Sequence, residues 1–186
     1  MKSLKLVCNE AMSKHRKIHI LPPYRYDIKI QIFDLLGIHP CQQKEAASMP
    51  LINAVVKMRS TKEPQEIEEL ERAAVIGYKM HTTAMRLTQP GITEKFIGGQ
   101  VDGIANSYGS MVSFPTIYTQ HGEIMHGAPS MNVLEEGRLV LCDAGAETIN
   151  NNRSNNTRTM PVIGKFPKKQ LKIYSIVEAC NDYTWK

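Results

Sequence analysis

The pattern of apolar and polar positions is most informative in LVLCDAGAETINNNRSNNTRTMPV, Leu139 to Val162. An apolar run, Leu139-Val140-Leu141-Cys142, ends on a single acid, Asp143, and small residues follow, Ala144-Gly145-Ala146. An Asn-rich turn, Asn150 to Asn156, leads into Thr157-Arg158-Thr159-Met160-Pro161-Val162. Two β-rich runs around turn residues predict a hairpin with Asp143 at the inner end of its first strand. A carboxylate there is costly unless a cation or hydrogen bonds compensate it. Pattern alone favours the plainer alternative, an Asp bonded to the N–H groups of the turn.

Upstream, Lys17-Ile18-His19-Ile20-Leu21 predicts a strand stopped by Pro22-Pro23. Asp27 to Leu36 carries Ile28, Ile32, Leu35 and Leu36 at helical spacing, with Gly37 as its stop. Met49 to Arg59 reads as extended or connecting. Ser60 or Thr61 then caps a helix that has Pro64 in its first turn and runs to about Leu87. Its apolar face is Ile67, Leu70, Ala74 and Tyr78. A second helix opens at Thr93-Glu94 and runs through Ile97, Val101 and Ile104 to Asn106, with Gly98, Gly99 and Gly103 weakening it but permitting close packing. Val112 to Tyr118 predicts a strand, His121 and His126 lie in the segment after it, and residues 129–137 form a loop. From Lys168 a last helix would bury Leu171, Ile173, Tyr174, Ile176, Val177 and Cys180. This order predicts an α+β fold, an antiparallel sheet with helices on one face.

Composition narrows the function classes. A chain of 186 residues with 42% hydrophobic positions can bury one ordinary core. The net charge of +5 admits an acidic partner, but the basic residues are scattered and aromatics are 6%, so a nucleic-acid footprint is not indicated. No stretch approaches membrane-spanning length. Cys8, Cys41, Cys142 and Cys180 are widely spaced and read as free thiols, and cytoplasmic is the expected location. Arg158 reads as structural, His121 as a loop residue, and Met80, Met85, Met111 and Met125 as packing residues. A zinc pair at His121 and His126 is the weaker reading.

Several stretches in order carry a resemblance: LINAVVKMRSTKEPQEIEELERAA (51–74), PGITE (90–94), HGEIMHG (121–127), EGRLVLCDAGAE (136–147) and NNTRTMPVIGKF (155–166). With them the chain resembles the pita-bread metallopeptidases, in the aminopeptidase P (Xaa-Pro aminopeptidase) branch near creatinase and prolidase. The resemblance implies the first half of a pita-bread domain at residues 49–186, preceded at 1–48 by the end of an N-terminal creatinase-like domain. It implies a metallo-exopeptidase that removes the N-terminal residue preceding proline, using two divalent ions, usually manganese, to acidify a bridging water. Carried over residue by residue, Asp143 matches the first metal Asp, and His126 matches a histidine that assists substrate binding and proton transfer.

The departures carry as much as the matches. The second, bridging Asp of the family falls on Asn155, and the metal His and two Glu of the family come later than Lys186. One carboxylate against two divalent ions leaves the charge uncompensated. The expectation is therefore an inactive fragment that binds no manganese by itself; the alternative is a non-enzymatic binding or self-associating module. The missing half would uncover the face of the Asp143 hairpin, with Val140, Val162 and Ile163 in or beside its strands. The Asn-rich turn and the ending at Trp185 read as drift or a frame change in a decayed gene copy.

Overall fold

The computed structural model describes residues 3–184; Trp185 lies outside the described residues. It divides into two compact units, Met1–Lys62 and Glu63–Lys186.

The first unit is helical. It comprises α1 (Leu4–Ser13), α2 (Tyr26–Leu36) and α3 (Met49–Ser60). The α2 helix ends where the sequence indicates, because Gly37 takes a left-handed φ of 71° and donates its N–H to Phe33 O. The expected strand at residues 17–21 is irregular instead. It has no partner strand among the described residues, and a lone strand cannot satisfy its backbone; two bonds to Ser48 tie it down, Ser48 N to Ile20 O at 2.9 Å and the Ser48 hydroxyl with His19 Nδ1 at 2.6 Å. The stretch read as connecting is α3. Its start is encoded by Ser48, whose hydroxyl accepts from Leu51 N at 3.3 Å, and by Pro50 in the first turn. Gln43 is wholly buried and donates Nε2 to the carbonyls of Lys29 and Ile38, each at 2.8 Å, which pins the turn after α2.

The second unit is α+β. Two helices, α4 (Pro64–Leu87) and α5 (Glu94–Ser107), pack against strands β2 (Ile117–Thr119), β3 (Leu139–Ala144) and β5 (Asn156–Pro161), which form an antiparallel sheet in the order β2-β3-β5. A small second sheet pairs β1 (Met111–Val112) with β4 (Ala146–Glu147), and α6 (Lys168–Tyr183) follows. The predicted hairpin is present in register, with Asp143 opposite Thr157 and Leu139 opposite Pro161. Along β3 burial alternates, and Val140, Cys142 and Ala144 enter a core with Met80, Ile97, Val101, Tyr118 and Met160. Each large apolar side chain buried there contributes about 1.5–3 kcal/mol.

Five details differ from the sequence reading. The expected single strand 112–118 is split between the two sheets, because Pro115 lacks an N–H and Ser113 N instead reaches Gly145 O at 2.9 Å. The cap of α4 is Glu63, whose N–H is held by the Glu66 carboxylate at 2.8 Å, while Ser60 and Thr61 close α3. The buried face of α4 is Ala73, Ile76, Gly77, Met80, His81 and Ala84, and Ile67, Ala74 and Tyr78 are exposed. Small residues carry this face because the helix lies close on the hairpin: a Cβ at Gly77 would stand 2.8 Å from Ser154 Oγ. None of the α6 residues is buried: Leu171, Ile173, Ile176, Val177 and Cys180 are exposed, and Tyr174, against the Phe166 ring, is half-buried. Val140 and Val162 are core residues, and of the three apolar residues expected at the surface only Ile163 is exposed.

Candidate functional site at the open end of the hairpin

Because Cys142 and Ala144 face the core, the strand's period of two puts Asp143 on the opposite, open face with Leu141. There it stands between Ile117 of β2 and Thr157 of β5. Asp143 Oδ1 is buried and takes no hydrogen bond. The alternative in which turn N–H groups satisfy this oxygen is therefore not what the fold contains. An orphaned buried carboxylate oxygen is the donor chemistry a hard cation uses.

The second expected position, Asn155, immediately precedes β5. Burial alternates through Ser154 (buried), Asn155 (exposed), Asn156 (half-buried) and Thr157 (exposed). Asn155 thus shares the exposed phase of Thr157, the residue opposite Asp143. Its amide brings one neutral carbonyl oxygen. Ser154 is held inward, accepting from Ala146 N at 3.0 Å and, through its carbonyl, from Ser113 Oγ at 2.8 Å. Gly145 makes this closure possible: a Cβ there would lie 1.9 Å from Ser154 O. Glu147 turns away to pair with Arg153 at 3.0 Å. Among the described residues no three His, Cys, Asp or Glu side chains form a metal-holding group.

The two histidines stand on the loop after β2. His121 Nδ1 contacts Glu123 Oε1 at 3.0 Å, and with Glu123 exposed this pair is a solvated one. His126 is exposed at a left-handed φ of 65°. The loop runs along the open face, since Gly122 lies against Leu141, where an added Cβ would be 3.7 Å from the Leu141 Cβ. The fold thus carries Asp143 on one strand of the hairpin and Asn155 just before the other, with His126 on the loop after β2. Arg158 faces the other way, toward α4, and its guanidinium donates to Thr157 O at 2.8 Å. Of the methionines read as packing, Met80 is core, whereas Met85, Met111 and Met125 are exposed.

Two buried ionisable residues were given no site role by the sequence reading. Glu94 lies at the start of α5 and His81 on the buried face of α4, one helical turn after Gly77. Burial holds the His81 imidazole below its ordinary pKa, and the Arg158 charge acts in the same direction. Burial also pushes the Cys142 thiol up to about 12, with the Asp143 charge adding to it. All four cysteines are unpaired. No helix among the described residues is long and apolar enough to cross a membrane.

Residues 68–186 match Metallopeptidase family M24. Over 126 residues the chain is 38% identical to the Xaa-Pro aminopeptidase of Escherichia coli K12, an alignment covering 66% of this chain and 28% of that protein. It is 33% identical over 130 residues to the Xaa-Pro dipeptidase of Pyrococcus furiosus, covering 68% of this chain and 37% of that one. Among solved structures, an Escherichia coli aminopeptidase P in complex with substrate superposes with a TM-score of 0.71 at 30% identity, over 87% of this chain and 38% of that chain. Proline aminopeptidase P II from Yersinia pestis superposes at 0.76 and 27% identity, over 94% and 43%. The fold is therefore part of the pita-bread architecture, and the chain belongs to the M24 metallopeptidase family.

Proposed function

We propose that these residues supply one wall of an Xaa-Pro aminopeptidase site, with Asp143 as a metal ligand and His126 at the substrate and proton-transfer position. Asn155 occupies a ligand position from which the ligand has been lost. By themselves the 186 residues do not cleave peptides. Residues 1–48 belong to the N-terminal creatinase-like domain and 49–186 to the first half of the catalytic domain. The ion is manganese, the substrate class is a peptide with proline in second position, and the location is cytoplasmic. The observation that carries the reading is the unsatisfied Asp143 oxygen opposite Thr157 on the hairpin.

The donor set fits one loosely held divalent cation and does not fit two. Two such ions bring four positive charges, against one carboxylate and one neutral amide oxygen. An amide cannot bridge two cations as a carboxylate does. No hydrolytic step is therefore derived from these residues alone. Dialysed protein is expected to retain less than one manganese per chain in elemental analysis, and to release no residue from an Xaa-Pro peptide with manganese added. Asn155→Asp is expected to leave turnover absent. Two tightly held ions per chain, or turnover that vanishes in Asp143→Ala, would overturn the reading.

A second reading, a self-associating module, has its own support. Among the described residues no strand pairs with the outer edge of β5, and Leu171, Ile173, Ile176 and Val177 of α6 are all exposed.

A further inference from the structure

The loop that carries His121 and His126 is tied at both ends to one buried carboxylate. Glu94 is 1% exposed. Its Oε1 accepts from Thr119 Oγ1 at 2.9 Å and from Gln120 N at 2.8 Å, where the chain leaves β2. Its Oε2 accepts from Ser130 Oγ at 2.7 Å and Ser130 N at 3.3 Å, where the chain returns. The Thr119 hydroxyl passes the constraint on by accepting from His121 N at 3.0 Å. Backbone bonds from Glu94 N to Asn132 O and from Lys95 N to Ser130 O complete the closure. Gln120 extends it, accepting from Glu135 N and donating to Val133 O. All four groups bonded to the Glu94 carboxylate are donors, so the ionised form satisfies each of them. A buried carboxylate with four donors is far more than a helix start requires, and α5 already has a cap in Thr93, which accepts from Phe96 N at 3.2 Å.

We propose that Glu94 is a positioning residue: its carboxylate closes the 120–130 loop and thereby sets where His121 and His126 stand along the sheet face that carries Asp143. The closure itself stands on the hydrogen bonds above; its relevance to chemistry rests on the proposed role of His126. Glutamine at position 94 keeps the shape but turns one oxygen into an NH₂ donor, so the backbone N–H on that side, Gln120 N or Ser130 N, loses its acceptor, and the hydroxyl beside it keeps a bond only by turning to accept. Aspartate keeps the charge on a shorter arm.

The test is amide hydrogen exchange on the whole chain, read by mass spectrometry on peptides spanning 121–132 and on core peptides from α4 and β3. In Glu94→Gln the loop peptides are expected to exchange roughly tenfold to a hundredfold faster, the range for losing hydrogen bonds to a charged group. The core peptides should be unchanged, and Glu94→Asp should recover part of the protection. A second readout is the rate of histidine acylation by diethyl pyrocarbonate, in which the half-buried His121 should react faster in Glu94→Gln. If Glu94→Gln does not fold, Thr119→Val and Ser130→Ala, each removing a donor on one side, are read in the same way. Loop exchange that stays at the wild-type rate in a folded Glu94→Gln protein, or in both donor variants, overturns the proposal. Because neither readout needs metal or turnover, failure here is distinct from failure of the metal-site reading.

Discussion

At the scale of single residues, His81 is the titratable group most constrained by the fold. It is buried, and its Nε2 lies 3.2 Å from Ala144 O, which can only accept, so Nε2 carries the hydrogen and Nδ1 is left bare and unpartnered. Protonating Nδ1 would place a cation in a buried site already faced by Arg158, and the more weakly acting Asp143 does not reverse the depression. The unfolded chain takes up this proton as pH falls through about 6.5, whereas the folded one resists it. The unfolded state then binds more protons, so the stability present above that pH is progressively lost below it. Urea midpoints are expected to fall between about pH 7 and about pH 5, and to fall less steeply in His81→Gln. Equal slopes in the two proteins would remove His81 as the cause.

At the scale of elements, glycines of one sequence type have opposite meanings. Gly145 sits where the strand after Asp143 passes Ser154, and an added Cβ would meet backbone at 1.9 Å. The Ser154 backbone cannot yield as a flexible side chain would, so Gly145→Ala is expected to cost about 3 kcal/mol or more, at or above the upper end for overpacking. It should also loosen the hairpin that holds Asp143. In α5, Gly98 is needed, since a Cβ would press on Pro129 at 2.6 Å, whereas nothing lies within 4 Å of such a Cβ at Gly99. Gly99→Ala should therefore stabilise by about 0.5–1 kcal/mol through helix propensity. Thermal unfolding of the two variants checks both signs. A destabilised Gly99→Ala would contradict the open space beside α5.

At the scale of the whole molecule, apolar side chains are left uncovered in groups. On α6 these are Leu171, Ile173, Ile176 and Val177; on α4 they are Ile67, Val75, Tyr78 and Met85. The chain spans 28% of the Escherichia coli relative and 37% of the Pyrococcus one, so those proteins contain much more sequence than this surface belongs to. Exposed apolar stripes together with an open strand edge favour association. Light scattering coupled to size-exclusion chromatography is expected to find dimers or larger species, or poor solubility, at micromolar concentration. A strictly monomeric protein with a sharp cooperative thermal transition would count against this and against the self-associating reading.

Local pattern determined the hairpin, the position of Asp143 on it, the extents of α2 and α5 and the end of α4; the register of the hairpin came from the fold. Period two, period 3.6 and the stop at Gly37 are properties of neighbouring residues and need no distant partner. The family was legible for the same reason, since motifs such as PGITE and the Asp143 strand are contiguous. The tertiary structure alone decided which face of α4 is buried, because Ala73, Gly77 and Ala84 carry little hydrophobic signal yet allow the close approach that burial requires. It decided that residues 112–118 divide between two sheets, through bonds from Ser113 to residues far along the chain. It also decided the role of Glu94. A Glu after a Thr cap reads as a helix start; only folding brings Thr119, Gln120 and Ser130 to its carboxylate, and hydrogen bonds between residues so far apart in sequence leave no periodic trace.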